Sequence, residues 1–521
     1  MTDISTFKLN NKNCYPVQFV KASVALLVVG LIYWVHVFVW APNHDEAPFL
    51  IEAQRLLEGG LFYRDILETN PPLTVFIYLP VVWLANLTGI SGWAVFTGLI
   101  SIVTLAASYS IDYQVARVLP NVPWWLRWQI ILLVIVVLPG YHSGQREHLS
   151  ICLALPALSK WLVDDILGSE HQPKLTVIIY WVIASLGFLI KPFFLMVPAV
   201  FFVWRACQQR NWRALLCLEA ITVALVSLIY IALVWLYFQD WIENMQVTWQ
   251  AYFGFNQDIK VVMLHDFKRQ IIIFALVSTV LFFLPLTHAY KRLVIGFIFA
   301  SGVWLLLAVL QSKGWAYQTL PANLLIALSL SLALADLLFK PRVNKPAISS
   351  YISQWIWATL SIAVFFIVSY VSGKDRPLLV DVFREPFNQA IVKYSQDKPW
   401  VVWSTSIRDA FPLAILVQGQ WASRSMHQFI VPGTLKLKQR GKAEAEQAER
   451  LQAISAHFAT EDLKRWQPQV VAIRTANNQS VEDSNFNFIN FFSIDPEFSN
   501  EWAHYQLQEK HLDWEVYVRN F

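Results

Sequence analysis

The feature that most constrains this chain is a series of apolar runs, many close to twenty residues long, separated by short polar turns. A helix needs about 20 apolar residues to cross the hydrocarbon of a bilayer. The runs are Ala22–Trp40, Trp93–Tyr113, Trp124–Pro139, Leu149–Val163, Leu175–Leu189, Pro192–Trp204, Ala214–Phe238, Ile271–Leu286, Leu293–Leu310, Leu320–Phe339 and Ile352–Val371. They predict a polytopic α-helical membrane protein with about 11 spans. The shorter runs must borrow length from flanking aromatics or cross where the bilayer is thinned. Only 15% of the 521 residues are charged, against about 25% in a soluble domain. The 24 tryptophans suit a chain with many membrane–water interfaces. A net charge of +4 does not imply a nucleic-acid partner.

The first run is too long for a signal-peptide core, and Trp40-Ala41-Pro42 makes a poor cleavage site, so it reads as an uncleaved anchor. None of the cysteines falls in the C-terminal third, so no disulfide framework is implied there. No phosphate-cradling glycine loop, zinc spacing or internal repeat is visible.

The segment Pro72–Leu87 is apolar enough to span, but counting it as a span scrambles the basic turns that follow. As a helix lying on the outer surface, headed by Pro71-Pro72, it restores order. Arg117 and Arg127, Lys160–Lys174, Arg205–Arg213, His288–Arg292 and Lys340–Lys345 then share one side with the N-terminus, the positive-inside pattern. The expected organisation is a cytoplasmic tail (1–19), a transmembrane domain (20–371) with an outer loop at 42–92, and an extracytoplasmic domain (372–521). The last domain alternates strand-like runs such as PWVVWST and PQVVAIRT with helical stretches such as AEAEQAERLQAISAHF. That alternation predicts a small α/β unit. The expected location is the cytoplasmic (inner) membrane, multi-pass, with the C-terminal domain extracytoplasmic.

This topology gathers polar residues at the outer ends of the spans. The first loop brings Asp45, Glu46, Asp65 and Glu68. HSGQREHL brings Arg146, Glu147 and His148. LGFLIKPFFLMVP brings Lys191, and QSKGWAYQTLP brings Lys313, Tyr317 and Gln318. Ionisable residues at a membrane are costly unless they pair or function. A reaction on a lipid phosphate needs a carboxylate to take a proton from an incoming hydroxyl and cations to stabilise the departing phosphate. Plainer roles exist for each. Asp45 could cap a helix, Asp65 and Glu68 could meet Arg64 or water, Arg146–His148 could form an interfacial ion cluster, Lys191 could snorkel and Tyr317 could belong to an aromatic belt. His148 has no spaced partner that would make it a metal ligand.

The acidic pair after the first span, the amphipathic stretch to GGLFYRD and the following NPPL resemble the GT-C membrane glycosyltransferases. Within that superfamily the pattern is similar to the lipid A aminoarabinose transferases, the protein O-mannosyltransferases and the bacterial enzymes that decorate lipopolysaccharide or arabinan. The resemblance covers roughly residues 20–340. It implies a catalytic aspartate at Asp45, a second acidic position at Glu147 with Arg146 and His148 beside it, and a cation at Lys191. One position departs from the pattern: the proline pair, often preceded by lysine in the aminoarabinose transferases, here follows Asn70. Lys191, Arg146 and Lys313 are the candidate substitutes for that phosphate contact.

The expectation is a transferase that moves a sugar from a polyprenyl-phosphate donor to an acceptor hydroxyl on a glycan, lipid or protein. Asp45 acts as general base in an inverting displacement, and Glu46, Asp65, Arg146, Glu147, His148, Lys191, Lys313 and Tyr317 contact substrate. No cofactor is assigned, and a divalent metal is left open. The rivals are a transporter or flippase for a lipid-linked saccharide, and a non-catalytic scaffold for envelope assembly.

Overall fold

Every apolar run that falls within the described residues is helical. The computed structural model describes residues 14–168, 173–252, 256–339, 376–474 and 486–520; the run Ile352–Val371 and the charges Lys340–Lys345 lie outside them. Among the described residues, five helices have both the length and the hydropathy to cross a membrane: Gln18–Phe38, Gly92–Val118, Leu218–Tyr237, His288–Leu310 and Ala316–Phe339. The chain is thus a polytopic, largely α-helical membrane protein.

The elements that position the site are α1 (Cys14–Phe38), α2 (Ala47–Leu57), α3 (Pro72–Phe76), α4 (Leu79–Thr88), α5 (Gly92–Val118), α6 (Trp124–Leu132), α7 (Arg146–Leu167), α8 (Lys174–Leu189), α9 (Met196–Gln209), α10 (Leu218–Tyr237) and α11 (Gln239–Tyr252). In the membrane core α7 packs against α5, α8, His288–Leu310 and Leu320–Phe339, in a cluster that includes Ile111, Leu155, Leu158, Phe188, Phe297 and Leu325. At Gly187 the α7 and α8 backbones come close: a Cβ there would lie 2.9 Å from the Leu153 side chain and 3.0 Å from the Ser150 carbonyl. Small residues permit such approach between membrane helices, where burial against lipid supplies little driving force.

Three elements differ from the sequence expectation. α1 begins at Cys14, so Lys21 lies inside the helix rather than before it. Its ammonium meets Asp112 of α5 at 2.7 Å, and Asp112 also accepts from Arg127 of α6 at 2.6 Å. The segment expected as one surface helix is two helices, α3 and α4, with Pro72 and Pro80 at their first turns. Proline lacks the N–H that a continuous helix would need there. At ten residues α4 is too short to span; Trp83, Leu84 and Leu87 form its exposed apolar face. Finally, α6 runs into a π-helical turn at Leu133–Val137 and a 3-10 turn at Gly140–His142.

Residues 376–474 and 486–520 build the expected β-containing unit. Four strands, β1 (Trp400–Trp403), β2 (Val470–Arg474), β3 (Tyr505–Lys510) and β4 (Trp514–Arg519), take the order β1-β2-β4-β3. β1 and β2 are parallel, with Trp400 opposite Val470. Such strands need a long crossover, here the helices Ile430–Arg440 and Lys442–Trp466. β4 pairs antiparallel with both β2 and β3. β1 is buried along its whole length, as a strand covered on both faces should be.

This unit is fastened to the membrane helices. Trp40 and Leu378 form a β-bridge, closed by Ala41 N–H to Pro377 carbonyl and Leu379 N–H to Val39 carbonyl, both 2.9 Å. Arg55 of α2 donates to the carbonyls of Asp65 (2.9 Å), Ser423 (2.6 Å) and Trp421, and stacks 4.8 Å from the Trp466 ring centroid. Asp65 pairs with Arg64 at 2.8 Å and with Arg465 on the crossover helix. At a further contact, a Cβ on Gly433 would lie 2.1 Å from the Ala251 carbonyl of α11. Gly433→Val should therefore push the crossover away from α11 while leaving both units folded. Faster tryptic cleavage near Arg440, with unchanged helical circular dichroism, is the expected result; wild-type cleavage kinetics would show that this contact does not hold the units together.

Candidate functional site

Where the chain leaves α1, a tight turn sets the first site residues. Asn43 Oδ1 accepts from the Asp45 amide at 2.8 Å, and Asn43 Nδ2 donates to the Tyr141 carbonyl. Gln145, just before α7, donates to Asn43 Oδ1 at 3.3 Å and to Asp45 Oδ2 at 3.0 Å. His44 Nε2 lies 3.6 Å from the same oxygen. Asp45 Oδ1 takes no hydrogen bond from the described residues, and the side chain keeps 22% of its surface exposed. One carboxylate oxygen is thus held and the other is available.

Asp45 lines a cavity of about 420 Å³, with His44, Phe49, Glu68, Asn70 and Arg146 on the same side. Tyr252, Trp315 and Tyr317 supply an aromatic wall. Thr405–Arg408 and Met426–His427 close it from the C-terminal unit. Arg146, the first residue of α7, donates to Asn70 Oδ1 and lies 5.3 Å over the Phe49 ring. Asn70 is the position where the resembled transferases often carry lysine; here the cation beside it comes from Arg146. Glu68 Oε1 is already occupied, accepting from the Asn70 amide (2.7 Å) and Thr69 Oγ1 (3.1 Å). Burial holds His44 at about 4, and likewise His427, so both rings are neutral near pH 7. The cavity then presents Asp45 and Glu68 against Arg146 and Arg408.

The other sequence-derived candidates are placed differently. Asp45, Arg146 and Tyr317 line the cavity together. Glu147 and Lys191 do not: Lys191 Nζ bonds Glu147 Oε1, with the side chains 8% and 0% exposed, and lies 5.3 Å from the Tyr317 ring. Glu46 points inward from the start of α2, 1% exposed, with neither carboxylate oxygen hydrogen-bonded. Burial, then the Asp45 charge, push its carboxyl well above the usual range. His148 is a structural link: Nδ1 accepts from the Gly144 amide at 3.0 Å and Nε2 bonds the Ile135 carbonyl at 2.8 Å. That carbonyl is in the π-helical turn, a feature often found near functional sites. Asp65 serves the docking described above. Lys313 donates to the Tyr252 carbonyl at 2.6 Å, and burial followed by Lys436 bring it down to about 7. Among the described residues no group of three His, Cys, Asp or Glu side chains converges as a metal site.

Sequence reading missed Arg408, His427 and His142. Arg408 Nε donates to His44 Nε2 at 3.1 Å across a very long stretch of chain. Asp462 organises the turn that brings His427, accepting from Ser423 Oγ (2.8 Å), the Arg424 amide (3.0 Å) and Arg424 Nε (2.7 Å). A usable signal did exist. Thr405–Arg408 follows the carboxyl end of β1, and ligands in α/β sheets gather outside the carboxyl ends of parallel strands.

The Glu147–Lys191 pair makes a stability prediction. Removing one partner strands a buried charge, at a cost of about 3–5 kcal/mol. Lys191→Met should lower the melting temperature strongly, and adding Glu147→Gln should restore much of the loss. Equal melting temperatures for the wild type and Lys191→Met would mean that the pair carries no structural weight.

By sequence, the chain matches no protein-family model and no curated protein. By structure, it is similar to ArnT from Cupriavidus metallidurans bound to undecaprenyl phosphate, with a TM-score of 0.51 at 11% identity, covering 97% of this chain and 98% of that one. The apo state of that protein gives 0.50 at 11% identity, covering 96% and 98%. The arabinofuranosyltransferase AftD from Mycobacteria gives 0.42 at 13% identity, with 96% of this chain spanning 40% of that one. With almost the whole of both chains covered, the chain has the fold of ArnT.

Proposed function

We propose that the chain is a membrane glycosyltransferase that moves a sugar from a polyprenyl-phosphate donor to an acceptor hydroxyl. The observation that carries this reading is the shared cavity: a carboxylate with one free oxygen, Asp45, and a half-buried guanidinium, Arg146, line the same aromatic-walled space. In this reading Asp45 takes the proton from the acceptor hydroxyl. The hydroxyl oxygen attacks the anomeric carbon from the side opposite the phosphate, so the configuration inverts. The bond to the phosphate oxygen breaks, and the departing polyprenyl phosphate carries the electron pair. Arg146 balances the charge that develops there, and a charge-assisted bidentate contact suits that task. Undecaprenyl phosphate is the ligand of the structurally similar ArnT, which supports a lipid phosphate as the donor's anionic part.

The proposed orientation is N-terminus inside, with residues 20–371 as the membrane unit and 372–521 as the outer unit beside the cavity. The acidic and basic residues of the cavity come from loops and helix starts. A transporter places its ionisable residues near the bilayer midplane on broken helices, and that contrast favours the enzyme.

Asp45→Asn keeps the shape and removes the base, so turnover should fall about 10²–10⁴-fold with donor binding retained. Arg146→Ala should weaken donor binding as well, because a phosphate contact also acts in the ground state. The assay is transfer from a polyprenyl-phosphate sugar by purified protein in detergent. Near-normal turnover by Asp45→Asn would remove Asp45 as the base, and Glu68 would be the next carboxylate to test.

A further inference from the structure

A second cavity of about 620 Å³ adjoins the first, between the turn Leu138–His142 and the segments Arg376–Val382 and Arg408–Leu413. The two share His44, His142, Ala316 and Arg408. Arg376 lines the second cavity and is only 8% exposed. Its guanidinium lies 4.0 Å over the Trp40 ring and 5.5 Å from the Tyr141 centroid. Nη1 is 3.3 Å from His36 Nε2, while Nε and Nη2 have no hydrogen-bond partner among the described residues.

An unpaired buried guanidinium is costly, and carboxylates normally pair with it. Among the described residues, the acids nearby do not. Asp409 is held by Ser404 and by Arg474 at 3.2 Å, and Asp381 accepts from the Leu378 amide at 3.3 Å. Glu46 stands close enough to act through its field, but both its oxygens are without a hydrogen bond. The two unused nitrogens, Nε and Nη2, form one edge of the guanidinium. That edge offers two parallel N–H donors, the geometry that holds a phosphate or carboxylate bidentately. Leu138, Phe411 and Leu413 give the cavity an apolar side.

We propose that this cavity binds the acceptor through an oxyanion group, a phosphate or carboxylate, taken edge-on by Arg376. The inference rests on the transferase reading above. His44, common to both cavities, adjoins Asp45, so an acceptor anchored at Arg376 has its hydroxyl side toward the base.

The test is binding to the purified full-length protein in phosphatidylcholine nanodiscs with undecaprenyl phosphate at saturation, read by native mass spectrometry. The probes are phosphatidic acid, oleate, inorganic phosphate and neutral diacylglycerol. At least one oxyanion probe should bind more tightly than diacylglycerol, and the lipid and free forms show whether the tail is needed. Arg376→Gln should weaken that probe about tenfold or more and leave undecaprenyl phosphate unchanged. Arg376→Lys, which keeps the charge without the fork, should give an intermediate loss and covers the case in which the glutamine variant does not fold. Oxyanion probes that bind no better than diacylglycerol to the wild type, or equally to wild type and variants, would overturn the proposal. Arg376-dependent binding without transfer from any polyprenyl-phosphate sugar would sink the transferase reading alone. Transfer by Arg376→Gln with an unchanged acceptor KM would sink this site alone.

Discussion

The cavity depends on one buried guanidinium. Arg55 leaves α2 and donates to three backbone carbonyls, one in its own loop and two in the C-terminal unit, with its face on Trp466. Hydrogen bonds to a charged group contribute about 1.5–3 kcal/mol each, and leaving their partners unmet costs at least as much. This contact fixes α2, and α2 begins directly after Asp45. It also fixes the strand-like segment Trp421–Ser423, which leads to Met426 and His427. One side of the cavity is therefore set by the membrane helices and the other by a domain more than three hundred residues away in the chain. Neither half encloses the space alone.

Within the membrane helices, the charges are organised as pairs of unequal meaning. Lys21, Asp112 and Arg127 join α1, α5 and α6, and Glu147 with Lys191 joins α7 to the turn after α8. Replacing a buried pair with apolar residues is often neutral or stabilising, whereas breaking one is costly. Such pairs fix which helices meet rather than simply adding stability. Asp45 and Arg146 are different. Each is anchored by a neutral amide, Gln145 and Asn70 respectively, and neither pairs with an opposite charge among the described residues. Their charge remains available to a ligand.

Much of this was legible in the sequence, and the reason is local. Apolar runs declare helices because the bilayer leaves few alternatives, and the turn residues Asp45 and Arg146 stand out because charge at a membrane is costly. The break of the segment Pro72–Leu87 into two helices was not legible, because Pro80 sits within an otherwise continuous apolar run. What could not be read was partnership. Nothing local says that Lys191 faces Glu147 rather than a phosphate, that Asp65 belongs to a domain contact, or that His148 is spent on the Ile135 carbonyl. Arg408 and His427 were invisible for the same reason. Their role arises from the docking of two units, and no periodicity encodes that.

The central claim is that Asp45 and Arg146 serve one lipid-phosphate site. An electron cryo-microscopy structure of the full-length protein with polyprenyl phosphate bound tests it most directly. The account predicts the phosphate in the Asp45 cavity, within about 4 Å of the Arg146 guanidinium, an ion-pair distance, with the lipid tail running along the aromatic wall of Tyr252 and Tyr317. A phosphate bound at another cation, with Arg146 still on Asn70 and the Asp45 cavity empty, would contradict it.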